Sequence, residues 1–180
     1  MMVSAHDRYS DAFIRDVLDG TKTIAMVGAS ANTVRPSYFV LKYMLSKGYR
    51  VFPINPGQAG KEILGQTVYG SLADVPEPID MVDIFRNSEA ALGVTQEALV
   101  LSPLPKVIWM QLSVRNDEAA KLAEHAGLKV VMDRCPKIEY GRLSGEIGWT
   151  GVNSRMLSSK RPTLKAGFQH RGLGGKPTGS

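Results

Sequence analysis

The chain has 180 residues and a mass of 19.6 kDa, about one domain with short extensions. At 43% hydrophobic and 22% charged it has the composition of an ordinary globular protein, and its single cysteine, Cys135, excludes an intramolecular disulfide framework or a cysteine-only metal cluster. The formal charge of +5 invites a nucleic-acid reading, but Arg155, Lys160, Arg161, Lys165, Arg171 and Lys176 fall in residues 155–180 with no acid among them, so the body is close to neutral and the basicity belongs to the C-terminal segment.

In chain order, Ser10–Leu18 reads as a short helix with Ser10 as N-cap, Phe13, Ile14, Val17 and Leu18 on one face and Gly20 as its stop. Thr23–Gly28 is an apolar run ending in glycine, the mark of a buried strand. Ser37–Lys47 is helical, and Tyr49–Asn55 is a second strand in which Pro53 removes a ladder donor and so belongs near the end. Residues 57–78 are irregular, with a short strand at Val68–Tyr69. Asp80–Phe85 is the third strand, Ser88–Leu101 a helix with Ser88 as N-cap, and Lys106–Gln111 the fourth strand. Asn116–Ala126 is a helix closed by Gly127, and Leu128–Asp133 is the fifth strand. Apolar strands alternating with helices of ten to fourteen residues predict repeated βαβ units. The expected fold is therefore α/β: a Rossmann-like, doubly wound, parallel five-stranded sheet with helices on both faces.

The expected organisation is an N-terminal helix packed on the domain (residues 1–20), the Rossmann-like domain (21–145) and a basic, Gly-rich extension (146–180). After Tyr140 the periodicity dissolves; Trp149 and Leu157 are the residues able to pin the extension, and it is expected to be mobile from about Ser158. The first residues carry four aspartates (Asp7, Asp11, Asp16, Asp19) and no long apolar core, so no secretory signal is expected. With no run of about 18 apolar residues a membrane span is not expected either, and a cytoplasmic location is the default. His6, His125 and His170 lie far apart and form no ligand-spaced motif, so no metal is expected.

In doubly wound folds the ligand lies beyond the carboxyl ends of the strands. The first strand-to-helix loop runs Gly28-Ala29-Ser30-Ala31-Asn32-Thr33-Val34-Arg35-Pro36-Ser37. Gly28 matches the first glycine of a dinucleotide fingerprint, but Ser30 and Thr33 occupy the second and third positions. The second strand ends Ile54-Asn55-Pro56, without the carboxylate that holds the ribose of NAD. The loop reads as a modified anion site. Ser30 and Ser37 offer hydroxyls, the helix start offers amides and a favourable dipole, Arg35 offers a phosphate-matching fork, and Pro36 suits the first helical turn.

These residues resemble a known family. Gly28-Ala-Ser-x-x-x-x-Arg35-Pro-Ser37, Gly48-Tyr-Arg-Val-Phe-Pro-Ile-Asn55-Pro56, Glu62-Ile-Leu-Gly65, Asp80-Met-Val-Asp83-Ile-Phe85-Arg86, Trp109-Met-Gln111 and Asp133-Arg-Cys135-Pro136 together resemble the stand-alone CoA-binding domain family. That family is similar to the N-terminal CoA-binding domain of the succinyl-CoA synthetase alpha subunit and of NDP-forming acyl-CoA synthetases. The resemblance implies that Gly28, Ala29, Ser30, Arg35 and Ser37 face the pyrophosphate of CoA, and that Asn55 and Pro56 lie under the adenosine. It also implies that Lys61 reaches the ribose 3′-phosphate, that Phe85 and Arg86 flank the nucleotide, and that Trp109 and Gln111 line the pantetheine side. Where the family pattern has glycine two residues after the glutamine, this chain has Ser113, a residue with fewer backbone options.

The residues themselves agree with that ligand: CoA has no nicotinamide ribose to lose, and its 3′-phosphate wants a cation such as Lys61. Read from their strand-end positions alone, Phe85 and Trp109 are partly core aromatics rather than ligand platforms. No Ser/His/Asp or Cys/His set is in evidence, and the phosphohistidine domain of the synthetase relatives is not matched. His125 reads as a helix-surface residue, Asp80 and Asp83 as strand-end caps, and Cys135 as an inert buried thiol rather than a partner for the CoA thiol. The resulting expectation is a non-catalytic sensor or carrier of CoA or an acyl-CoA, serving an acyl-CoA-using enzyme, with exposed strand edges compatible with a homodimer. The alternatives are an NADP-dependent oxidoreductase, with Arg35 or Lys61 on the 2′-phosphate, and nucleic-acid binding through the basic tail.

Overall fold

The computed structural model describes residues 4–146. Apart from Glu146, the expected C-terminal extension, with Trp149, Leu157 and the mobile stretch from Ser158, lies outside the described residues. Five helices, α1 (Asp11–Gly20), α2 (Pro36–Ser46), α3 (Ser88–Leu99), α4 (Asp117–His125) and α5 (Pro136–Ser144), accompany seven strands. Strands β1 (Thr23–Val27), β2 (Arg50–Ile54), β5 (Met81–Ile84), β6 (Val107–Met110) and β7 (Lys129–Val131) form one parallel sheet in the order β2-β1-β5-β6-β7. The short pair β3 (Glu62–Ile63) and β4 (Gln66–Thr67) forms a separate antiparallel hairpin. Counting only the large sheet, the order is 2-1-3-4-5, a doubly wound topology whose strand order reverses between β1 and β5.

The sheet is buried on both sides, and its side chains divide with the period of two that a strand imposes. Ile24, Met26, Val51, Met81, Val107, Trp109 and Val131 face one way, into a core shared with Ile14, Leu18, Leu41, Met44 and Tyr140. Ala25, Val27, Phe52, Ile54, Val82, Ile84, Ile108, Met110 and Val130 face the other way, against Ala91, Ala98, Ala119 and Ala123. Helices α1, α2 and α5 therefore cover the first face, and α3 and α4 the second. Small residues on α3 and α4 let those helices seat closely on the sheet. Among the described residues no helix is long and apolar enough to cross a membrane.

Most element positions follow the sequence reading, and the differences have physical causes. Ser10 caps α1 as expected, its Oγ accepting from Phe13 N at 3.1 Å. Pro53 lies inside β2, in register with Met26. It is tolerated because β2 is an edge strand and the backbone of the buried Pro53 points away from β1, its carbonyl accepting from Tyr69 N at 2.9 Å. The N-cap of α3 is Asn87, whose Oδ1 accepts from Ala90 N at 2.8 Å. Ser88 instead accepts from Arg115 N at 3.0 Å and so ties the start of α3 to the loop after β6.

Helix α5 was not expected from the sequence. Its amphipathic signal is weak, but Pro136 sits at its first turn, Gly145 closes it with φ of 82°, and Tyr140 and Leu143 are buried in the core under α1 and α2. The Tyr140 ring meets Tyr43 and Tyr49 edge-on at centroid distances of 5.9 and 6.1 Å. Just beyond α5, Glu146 accepts from the Tyr43 hydroxyl at 2.5 Å and pairs with Lys47.

Asp80 is a strand-end cap, as expected. Its Oδ2 accepts from Lys22 N at 2.8 Å and Thr23 N at 3.2 Å, while Oδ1 lies 3.3 Å from Lys106 Nζ. One carboxylate thus aligns the amino ends of β1, β5 and β6. Asp80→Ala is expected to cost about 1–3 kcal/mol by leaving these donors unpaired, read as a lowered urea midpoint with an unchanged m-value; an unchanged midpoint would show that water replaces the cap at no cost.

Candidate functional site

The site begins where β1 ends. Gly28 takes φ of 90°, a conformation L side chains rarely adopt, and a Cβ there would lie 2.6 Å from the Phe85 carbonyl oxygen and 3.1 Å from Arg86 Cδ. The end of β1 therefore passes directly under the end of β5. On its other side the turn is fixed to β2, because Ile54 O accepts from Gly28 N at 3.0 Å and from Ala29 N at 3.3 Å. Asn55 completes the clamp: its Nδ2 donates to Ala29 O at 2.8 Å and its Oδ1 accepts from Gly57 N at 2.9 Å. The amide of Asn55 is thus committed to holding the loop.

From this clamp the chain enters α2. Ser30 Oγ accepts from Asn32 N at 3.1 Å, and Asn32 Oδ1 accepts from Val34 N at 3.1 Å, so the loop is braced by its own short polar side chains. Arg35 is the extended N-cap residue of α2 and provides no side-chain cap; Pro36 is at the first helical position and Ser37 is buried beside it. Pro36 carries no N–H and Tyr38 N donates to Arg35 O at 3.0 Å, which leaves the Ser37 amide at the start of this eleven-residue helix for something else. Arg35, Lys61 and Arg86 are exposed and make no ion pair among the described residues. All three lie on connections leaving the carboxyl ends of β1, β2 and β5, so positive charge gathers along one edge of the sheet.

Next to the loop lies a cavity of ≈ 500 Å³ between α2 and α5, lined by Pro36, Phe39, Val40, Phe85, Gln111 and Ile138 together with Val34, Arg86, Leu112, Val114, Cys135 and Lys137. Its deep polar member is Gln111, only 5% exposed, whose Nε2 donates to both carboxylate oxygens of Asp83 at 2.9 and 3.1 Å. Asp83 is in register with Met26 and Trp109 in the middle of the sheet and has no exposed surface. It is not the strand-end cap expected from the sequence. Burial pushes its pKa up to about 7 despite the hydrogen bond from Gln111, which lowers it. Cys135 is also buried here, and burial pushes its thiol up. That is the direction of an unreactive cysteine.

Gly28, Ala29, Ser30, Arg35, Pro36 and Ser37 form one continuous loop and helix start, Asn55 is bonded to it, and Phe85 and Arg86 lie against Gly28. Pro56 opens an exposed 3-10 turn (Pro56–Gln58), and Lys61 follows it on the way to the hairpin. Trp109 is the exception: it is completely buried, with Nε1 donating to Arg134 O at 2.7 Å, so it supports the sheet from below rather than lining an accessible surface. Ser113 does take the backbone path of a glycine, with φ of 68°. Its N–H donates to Asp133 Oδ1 at 2.7 Å, a tie that holds it there.

The cavity residues contributed by α5, Lys137 and Ile138, were not anticipated; the available signal was a proline one residue after Cys135, a helix-start position. The centrality of Asp83 was legible only as a charge inside an otherwise apolar strand.

A doubly wound sheet with a glycine turn, a helix start without a side-chain cap and exposed cations along its carboxyl edge has the layout at which open α/β sheets carry ligand sites. The model of the family described as CoA binding domain matches residues 22–141, and the chain belongs to that family. It is 37% identical over 131 residues to the uncharacterized protein YneT of Bacillus subtilis (strain 168), covering 73% of this chain and 94% of that protein. The solved structure of a hypothetical protein from Pyrococcus horikoshii OT3 superposes with a TM-score of 0.72 at 37% identity, covering 79% of this chain and 98% of that one. The ADP-forming acetate–CoA ligase I of Archaeoglobus fulgidus is 25% identical over 147 residues, covering 77% of this chain and 21% of the ligase. The chain thus spans about a fifth of that enzyme.

Gly28→Ala is expected to destabilise the fold by about 2–3 kcal/mol, through left-handed strain and overpacking on the Phe85 carbonyl, read as a fall in thermal midpoint. Asp83 gives a pH signature. Its folded value of about 7 exceeds the 3.8 of an exposed aspartate, so between those values the native state holds a proton that the unfolded chain has released. Stability therefore falls as pH rises through this window, by at most about 1.4 kcal/mol per pH unit, and levels off above it. Urea titrations of Asp83→Asn against wild type from pH 4 to 8 are expected to remove that slope; an identical slope in the variant would assign it elsewhere.

Proposed function

We propose that the protein binds coenzyme A or an acyl-CoA at this edge as a sensor or carrier module. In this reading the pyrophosphate sits on the start of α2 over Gly28, Ala29 and Ser30, with Arg35 and Ser37 as side-chain partners. Lys61 takes the ribose 3′-phosphate. Pro56 lies beneath the adenosine, with Asn55 acting through the loop it clamps, and Arg86 and Phe85 border the nucleotide. The arm leaves past Gln111. The observation that carries the reading is the set of three exposed, unpaired cations around an uncapped helix start. CoA brings a pyrophosphate and a 3′-phosphate, and each prefers a cation or an amide-rich helix terminus. Membership in a CoA-binding domain family and likeness to an acetate–CoA ligase support the same ligand. Association with an acyl-CoA-using enzyme, in a cytoplasmic setting, follows from that ligand.

The competing nucleotide is NADP, since β2 ends in Asn55 and Pro56 without the carboxylate that favours NAD. Calorimetric titration with CoA, acetyl-CoA, NAD and NADP separates them. CoA is expected to bind more tightly than either dinucleotide, and tighter binding of NADP would overturn the assignment. Arg35→Ala is expected to weaken CoA binding by about 1.5–3 kcal/mol; an unchanged affinity would remove Arg35 from the site.

A further inference from the structure

We propose that Asp83 is a positioning residue of the ligand site: from inside the sheet it holds the Gln111 side-chain nitrogen and so turns the Gln111 carbonyl oxygen to the cavity, where it accepts a hydrogen bond from an N–H of the ligand arm. The inference rests on the CoA reading above and adds the hydrogen-bonding sense in which the arm is recognised.

The first observation is the polarity of the pair. Gln111 Nε2 lies 2.9 Å from one Asp83 carboxylate oxygen and 3.1 Å from the other. An ionised carboxylate only accepts, so only the amino end of the amide can approach both oxygens. The carbonyl end is directed away from Asp83. Gln111 Oε1 accepts no hydrogen bond among the described residues, yet it is not sealed in the core, and Gln111 lines the cavity. An acceptor left open on a cavity wall is matched by a donor on the ligand. The arm of CoA carries such donors in its amide N–H groups.

The second is that the main chain of Gln111 is already fixed. Its N–H donates to Ile84 O at 3.3 Å and its carbonyl accepts from Val114 N at 2.8 Å, which ties it to β5 and to the turn after β6. What is left is rotation of the side-chain amide, and the ionised carboxylate decides it. A protonated Asp83 would not, because a carboxylic acid both donates and accepts and can meet either end of the amide.

The third is the setting of Asp83. It has no exposed surface, and among the described residues Gln111 is its one side-chain donor. On the side it faces, α1 contributes Ile14, Val17 and Leu18, and α2 contributes Val40, Leu41 and Met44. The titratable groups there, Cys135, Tyr43, Tyr49 and Tyr140, are all pushed up by burial and are neutral near pH 7. The carboxylates of Asp19 and Glu146 lie beyond the tyrosines. The cations that border the cavity, Arg86 and Lys137, form no ion pair with Asp83. Burial makes ionisation of Asp83 costly to the fold, so the gain from a carboxylate at this position lies at the amide it orients.

The test is calorimetric titration of CoA into the wild-type chain, Asp83→Asn, Gln111→Ala and the double variant at pH 8, with circular dichroism to check folding. The Asp83→Asn side chain keeps the shape but donates as well as accepts, so it no longer fixes the amide. Each single variant is expected to bind CoA about three- to tenfold more weakly. The double variant is expected to bind no more weakly than Gln111→Ala alone, because Asp83 acts through Gln111. Titrations at pH 7 in buffers of different ionisation enthalpy then count protons. The ligand favours ionised Asp83, whose pKa is about 7, so binding to the wild type is expected to release more protons to the buffer than binding to either single variant. Any proton lost by the 3′-phosphate is common to all three. If Asp83→Asn does not fold, the difference in proton release between wild type and Gln111→Ala decides. Unchanged CoA affinity in Asp83→Asn, losses that add in the double variant, or equal proton release would each overturn the positioning role and leave the CoA reading standing. Failure of the wild type to bind CoA would overturn the CoA reading, and this inference with it.

Discussion

The end of β1 runs so close beneath the end of β5 that only a hydrogen atom fits between Gly28 and the Phe85 carbonyl, and much else depends on that approach. It brings three strand ends to one point, because the same turn is bonded to the last residue of β2. With the turn fixed there, α2 must start beside β5, next to the reversal in strand order. The Arg86 stem is laid across the turn by the same geometry. The helix start, the cation edge and the mouth of the cavity all follow from one backbone-to-backbone contact.

The second constraint is the double-sided burial of the sheet. Every residue of β5 is buried, so a charged residue placed there must carry the cost of burial or shed its charge. Asp83 faces the side covered by α1, α2 and α5, where Gln111 is its one side-chain hydrogen-bond donor among the described residues. Because Gln111 also lines the cavity, the protonation state of a residue in the middle of the sheet is linked to the orientation of an amide at the site. An apolar residue in place of Asp83 would leave the Gln111 amide without its anchor. The pair therefore belongs with the site as much as with the core.

Much of the fold was legible because the signals are local. Short apolar runs separated by amphipathic segments mark the parallel strands, and Ser10 and Asn116 cap helices through side chains three residues from their targets. The loop from Gly28 to Ser37 was likewise readable as a glycine turn running into a helix start. The roles of Trp109, Asp83 and α5 were not, since each is set by neighbours far along the chain. Trp109 is buried by the segment carrying Arg134, Asp83 by Gln111 and the helices above it, and α5 is stabilised by Tyr140 and Leu143 packing under α1 and α2 rather than by its own pattern.

The sequence by itself determined the order of elements, the parallel sheet and the chemical character of the first loop, because propensity, capping and period-two burial act over a few residues. Only the tertiary structure decided which side chains share a surface. It turned Asn55 inward as a clamp, withdrew Trp109 into the core, and gathered Val34, Phe39, Leu112 and Ile138 around one cavity. The reason is geometric: strand order and helix packing set those distances, and neither is encoded in the spacing of residues along the chain.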